Sequence, residues 1–323
     1  MNKIIDFSEA LENAGKDNKK TLVLGNGFSI KYFNYNNLLE ESSLGESARQ
    51  LFDNLDTVDF EQVVRALDEA SLVAAAFGQN ETSQMYHDEA DVVRNALVDT
   101  IRSTHPENKF EIADEIPSCA KFLREFSQIF TLNYDLLLYW VRLVGNLNFS
   151  DGFGKGKELN GYRGPFREDA YCCVYNLHGG LHLFPTSDGK LEKRLAGAES
   201  SILAALNESV AVQKRMPLYV AEGTSSAKMA KINSDPYLRH CYDQLSKVSG
   251  NVFIFGHSAN QNDEHIYKAL FSSDMEMMYF CVYQPNADVD AISAELDRYK
   301  RKYGRKKRYV LVDSQTANVW PEN

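Results

Sequence analysis

Four short polar segments hold most of the residues in this chain that could do chemistry: Gly25-Asn26-Gly27-Phe28-Ser29, Asn133-Tyr134-Asp135, His178-Gly179-Gly180, and Gly256-His257-Ser258 with Asp263. Glycine lets backbone N–H groups come close to a pyrophosphate, and a turn after a strand is where such a cradle forms. A histidine titrates near neutrality and can serve as a general base. Each segment also has an ordinary structural reading. Gly-x-Gly can be a tight turn with no ligand. Asn133 and Asp135 can cap a helix, as can Asp263. His178 can be a satisfied structural histidine, and His182 reads as structural. The dinucleotide fingerprint Gly-x-Gly-x-x-Gly is incomplete, because Ile30 stands where the third glycine belongs. The next strand lies about a hundred residues on, so the ribose-binding acid expected ~20 residues after the turn is missing too.

The segments matter because of what precedes them. Apolar, β-branched or aromatic runs predict strands over 21–25, 128–135, 172–180, 217–223, 251–258, 277–284 and 308–314. Amphipathic stretches predict helices over 136–144, 235–248, 262–271 and 290–302, and over 59–77 and 84–103 inside a helical insertion spanning 35–118. Residues 144–169, rich in Gly and Asn and without a period, read as one long loop. Strands alternating with helices imply an α/β fold: a doubly wound, mostly parallel, Rossmann-like sheet. The expected organisation is a single domain over 1–323 with the insertion at 35–118. In such sheets ligands bind beyond the carboxyl ends of the strands. All four polar segments close a predicted strand, and that convergence is stronger than any one motif.

Composition sets the outer bounds. The chain has 323 residues, 44% of them hydrophobic and 25% charged, which excludes a disordered chain, a collagen-like fibre and a disulfide miniprotein. No apolar run approaches the roughly 18 residues a spanning helix needs; Leu72 to Phe77 is six residues long. The first twenty residues carry Asp6, Glu9 and Glu12 and lack a signal-peptide core. An odd count of cysteines (Cys119, Cys172, Cys173, Cys241, Cys281) points to free thiols and a cytoplasmic location. There is no Cys-x-x-Cys pair, so no metal is expected. A net charge of −10 argues against general duplex-DNA binding, and direct nucleic-acid contact is not expected.

Together and in this order, the four segments resemble those of a bacterial sirtuin-like domain, of the branch found in antiviral defence systems. The matching residues are GNGFS, Thr131-Leu132-Asn133-Tyr134-Asp135, His178-Gly179, and Gly256-His257-Ser258 followed by Asp263. The resemblance covers residues 21 to about 271 and implies a doubly wound NAD-binding fold. Two departures stand out: deacylating sirtuins carry a zinc ribbon of two Cys-x-x-Cys pairs, absent here, and Asn26 replaces the alanine usual in the first turn. The zinc-free branch implies cleavage of NAD to nicotinamide and ADP-ribose rather than deacylation. By the same resemblance Asn133 positions the water and the ribose, His178 acts as base, and Asp135 binds the carboxamide. Gly25, Gly27 and Ser29, with Asn26 in the same turn, cradle the phosphates. Gly256, Ser258 and Asp263 address the adenosine side.

The resemblance further implies a regulated antiphage effector, a homo-oligomer or the partner of a HerA-type ATPase or an Argonaute-like protein. The rival from another class is a non-catalytic NAD- or ADP-ribose-binding module; a weaker third is an ADP-ribosyl or acyl transferase. Three features stay open. Asp151-Gly152-Phe153 is a surface turn or a pocket lid. Glu222-Gly223-Thr224 with Lys228, after the strand predicted at 217–223, could face a ligand. The basic run from Lys300 to Arg308 is a solvated helix end or a contact to nucleic acid or to an acidic partner.

Overall fold

The computed structural model describes residues 4–15, 18–33, 38–154, 157–195, 202–221, 223–283 and 288–321. Among them are eleven strands: β1 (Ile4–Asp6), β2 (Lys20–Leu24), β3 (Gln128–Thr131), β4 (Lys157–Leu159), β5 (Tyr162–Gly164), β6 (Val174–Asn176), β7 (Leu183–Pro185), β8 (Leu191–Arg194), β9 (Ser249–Phe255), β10 (Asp274–Val282) and β11 (Arg308–Asp313). Seven form one sheet in the order β1-β11-β10-β9-β2-β3-β6, and every pairing in it is parallel.

Side-chain alternation along the central strands builds two cores. Leu22, Leu24, Phe253 and Phe255 face one side, with the helices Phe7–Ala14, Phe60–Ala76, Asn80–Thr104, Ile116–Leu123 and Leu137–Val144. Val23, Val252 and Ile254 face the other, with Pro236–Leu245, Glu264–Ser272 and Val289–Tyr303. Helices cover both faces, so β2 is buried along its whole length, and its last three residues, Leu22-Val23-Leu24, are apolar without alternation. This is the doubly wound α/β architecture the sequence predicts.

Several predicted elements differ in detail. Of residues 217–223, the described ones do not join the sheet. Tyr219 makes an isolated bridge to Gly179, and the segment's backbone bonds go instead to Leu183 O (from Leu218 N, 2.7 Å) and His178 O (from Val220 N, 2.9 Å). The strands expected at 128–135 and 172–180 stop at Thr131 and Asn176, where the polar loops begin. The stretch 144–169 is not a single structureless loop. It contains the β4–β5 hairpin, turned by Asn160 and Gly161 at φ 52° and 77°, the geometry an Asn-Gly pair favours. This hairpin joins β8 and β7 in a small antiparallel sheet, order β4-β5-β8-β7. From residue 38 to 118 all regular structure is helical, led by the packed pair Phe60–Ala76 and Asn80–Thr104; residues 35–37 lie outside the described residues. No described helix is long and apolar enough to cross a membrane. All five cysteines are free and buried.

Candidate functional site

The four polar loops leave the carboxyl ends of β2, β3, β6 and β9, which are neighbours in the order β9-β2-β3-β6. From β2 the chain proceeds to β3 and β6 on one side; from β9 it proceeds to β10 and β11 on the other. The switch point, where doubly wound sheets open a crevice, therefore lies between β2 and β9. Here the two glycine loops interlock. Gly25 N–H donates to Phe255 O at 2.9 Å and Gly27 N–H to Gly256 O at 2.8 Å. Gly256 sits at φ 72°, and a Cβ on it would stand 2.4 Å from Phe28 N. These glycines are demanded by the approach of one loop to the other. Ser29 N–H likewise donates to Asn26 O at 2.9 Å. A phosphate cradled by the amides of Gly25, Gly27 and Ser29 requires them to exchange these partners.

Asn133 and Ser29 meet directly. Asn133 Nδ2 donates to Ser29 Oγ at 2.9 Å, and both residues are buried. The other end of the amide, Oδ1, is buried and has no hydrogen-bond partner among the described residues. A buried acceptor left open carries a desolvation cost of about 1–3 kcal/mol, so it marks a place where a donor is missing. The loops after β3 and β6 are stitched together on either side of this point. Leu177 N–H bonds Thr131 O and Leu181 N–H bonds Tyr134 O, both at 2.8 Å. Asp135 is buried and its Oδ1 accepts from Leu137 N–H at 2.7 Å, the capping geometry expected at a helix start.

His178 belongs to a second group. Its Nε2 lies 3.3 Å from His265 Nε2, with the two rings stacked 5.5 Å apart. His265 Nδ1 is 3.0 Å from Ser225 Oγ, which also accepts His265 N–H at 2.9 Å. Asp263 Oδ1 accepts from Lys228 Nζ at 2.9 Å, and Oδ2 lies 3.4 Å from His257 Nε2. His257 Nδ1 accepts Ala259 N–H at 3.1 Å, so the ring hydrogen sits on Nε2, facing Asp263. Burial pushes the His178 imidazole well below its ordinary value, reinforced by Lys228. Burial also pushes His265 down to about 4. Burial alone would raise the Asp263 carboxyl, but the His257 hydrogen bond and the surrounding positive charges hold it well below the usual carboxylate range. His257 in turn packs on the first turn: a Cβ on Gly25 would lie 3.0 Å from its ring.

The structure thus brings Asn133 to Ser29, Gly25 and Gly27 to Gly256, and His178 to the neighbourhood of Asp263. Asn26 is partly exposed in the turn, and Ser258 is exposed at the rim. His265 and Ser225 escaped the sequence reading. His265 sits two residues beyond Asp263, an Asp-x-His spacing at the start of a helix that offered the one available signal. Lys228 reaches the site from the helix Ser225–Ser234 rather than from a strand end; Glu222 lies outside the described residues. Asp151 and Phe153 form neither a surface turn nor a lid. Phe153 is fully buried, and Asp151 is buried between Lys193 (2.6 Å) and Arg142 (3.2 Å).

Over residues 22–320 the chain matches the DUF4917 family, described as a domain of unknown function, and it belongs to that family. No curated protein matches it. Among solved structures it is similar to a mutant Sir2 homologue in complex with ADP-ribose, at a TM-score of 0.37 and 11% identity, over 91% of this chain and 96% of that one.

Proposed function

We propose that the protein is an NAD hydrolase that cleaves the N-glycosidic bond to give nicotinamide and ADP-ribose. The observation that carries this reading is the Asn133 side chain. It is fixed by Ser29 at one end and presents a buried, unpartnered carbonyl at the other, at the carboxyl edge of the strand next to the switch point. That acceptor suits a ribose hydroxyl or a water. Supporting it is the motif order GNGFS, TLNYD, HGG and GHS with Asp263, on four neighbouring parallel strands.

In the proposed reaction a water oxygen bonds to the ribose C1′ as the C1′–N bond breaks. The bonding pair returns to the pyridinium, so nicotinamide leaves neutral and no general acid is required. Positive charge develops at C1′ as in glycoside hydrolysis. The chain's task is to orient ribose and water and to take up one proton. Asn133 orients them. His178, held neutral by burial, accepts the proton directly from the water or through a ribose hydroxyl. Asp135 addresses the carboxamide. Asn26, with Gly25, Gly27 and Ser29, forms the phosphate end, and Gly256, Ser258 and Asp263 the adenosine end. On the same reading the protein acts in the cytoplasm as a regulated effector of antiphage defence. Its activity would be gated by self-association or by a HerA-type ATPase or Argonaute-like partner.

The test is nicotinamide release from NAD by the purified chain, alone and with its partner. Turnover that falls at least a hundredfold in Asn133→Ala and in His178→Ala is the expected result. Release that persists unchanged in both variants refutes the assignment. Tight NAD or ADP-ribose binding without turnover in any assembly state makes the protein a binding module instead.

A further inference from the structure

We infer that His178, His265 and Asp263 form a binding site for one divalent transition cation of the zinc class. One ring nitrogen of each imidazole and a carboxylate oxygen of Asp263 all lie within 4.8 Å of one another. The nitrogens are 3.3 Å apart. That is long for a hydrogen bond involving N–H, whose usual donor–acceptor distance is about 2.9–3.0 Å. It does match a chelate: two metal–nitrogen bonds of about 2.0–2.1 Å meeting at the tetrahedral angle separate their nitrogens by about 3.4 Å. The two nitrogens already stand at the separation a bound cation would impose.

The surroundings meet the further requirements of a metal site. A ligating histidine needs its other ring nitrogen held, so that the ligating nitrogen keeps its lone pair. His265 Nδ1 is 3.0 Å from Ser225 Oγ, which serves that purpose. Asp263 Oδ1 is engaged by Lys228 at 2.9 Å, whereas Oδ2 has only the 3.4 Å contact to His257 among the described residues. Oδ2 is therefore the oxygen that can turn to a cation. A route in exists as well: His265 and Ser225 line a surface cavity of about 520 Å³ together with Ser226, Met229, Tyr242 and Gln261. Two histidines and one carboxylate make a donor set that suits zinc, cobalt or iron(II) rather than magnesium or calcium. The site is unrelated to a zinc ribbon, which uses four thiolates.

A cation here would consume the His178 lone pair. If His178 is the base of NAD cleavage, which rests on the reading above, the bound cation switches that reaction off. The binding itself stands apart from that reading, and it is tested without NAD. The full chain, freed of metal with a chelator, is titrated with cobalt(II), whose visible absorption band reports tetrahedral nitrogen and oxygen ligands. The expected result is a band saturating at one equivalent, displaced by zinc. The apparent affinity should fall at least tenfold in His265→Gln and in Asp263→Asn, each checked for native circular dichroism. Absence of any band in the wild type overturns the proposal, as does a band unchanged in both variants. Loss of zinc inhibition in His265→Gln, with NAD cleavage retained, would extend the site to regulation.

Discussion

Two carboxylates stand among cationic and imidazole groups in this molecule, Asp151 buried and Asp263 partly buried, and their surroundings differ in kind. Asp151 accepts from Lys193 Nζ and Arg142 Nη1 on Oδ2 and from Phe153 N–H on Oδ1. It ties the loop after the helix Leu137–Val144 to β8 of the small antiparallel sheet. Burial alone would raise its carboxyl, yet the two cations hold it well below the usual range. Asp263, on the rim, has one such cation, Lys228, and otherwise imidazoles: His257 at 3.4 Å, with His178 and His265 behind. Lysine and arginine are full charges, while an imidazole kept neutral by burial offers a lone pair instead. The first arrangement is a fixed staple. The second is a cluster of ring nitrogens around one carboxylate, and it sits where the parallel sheet exposes its strand ends.

The largest expected effect breaks the staple. Asp151→Asn leaves Lys193 and Arg142 buried without their counter-charge and should cost about 3–5 kcal/mol in urea unfolding. Asp263→Asn, at the partly solvated rim, should cost less than half as much; equal losses would erase the contrast. Gly256→Ala should follow at about 2–3 kcal/mol, because a side chain at φ 72° is strained and its Cβ would strike Phe28 N. Acid should then weaken the fold in a defined window. Burial lowers His265 to about 4 and His182 to about 3. Unfolded histidines take up protons below pH ~6.5 while these two do not, so stability declines as pH falls from about 6.5 toward 4. Unfolding midpoints at pH 7.5 and 5.0 measure this, and His182→Gln should flatten the dependence. The smallest stability change belongs to Asn133→Ala, about 1 kcal/mol for one hydrogen bond lost to Ser29, against a collapse in turnover. A stability loss as large as that of Asp151→Asn would mark Asn133 as structural.

Alternation between apolar strands and amphipathic helices was enough to predict the doubly wound sheet, because parallel strands buried on both faces are marked in the chain as Leu-Val-Leu and Phe-Ile-Phe runs. Short edge elements left no such mark. β1 is three residues long, and β4 and β5 hide in a polar stretch whose signal is the Asn160-Gly161 pair. The segment at 217–223 is apolar enough for a strand, yet the backbone bonds of Leu218 and Val220 serve the loop after β6 and the start of β7. At the rim, Asn133, His178 and Asp263 could be picked out because they follow strands. His265 and Ser225 could not, since both lie on helices and become neighbours only through tertiary packing. The engagement of the Gly25 and Gly27 amides by the β9 loop was equally invisible, being a property of two loops far apart in the chain.

The central position of β2 has a consequence for the life of the polypeptide. Ser29 and Asn133 are 104 residues apart, His178 and His265 another 87, and Gly27 must wait for Gly256. Nothing resembling the rim can assemble while a ribosome is still making the first two-thirds of the chain. Contacts this distant also form late in folding, after the costly closure of long loops. Truncated or half-made copies therefore lack the assembled rim, whatever else of the sheet they form.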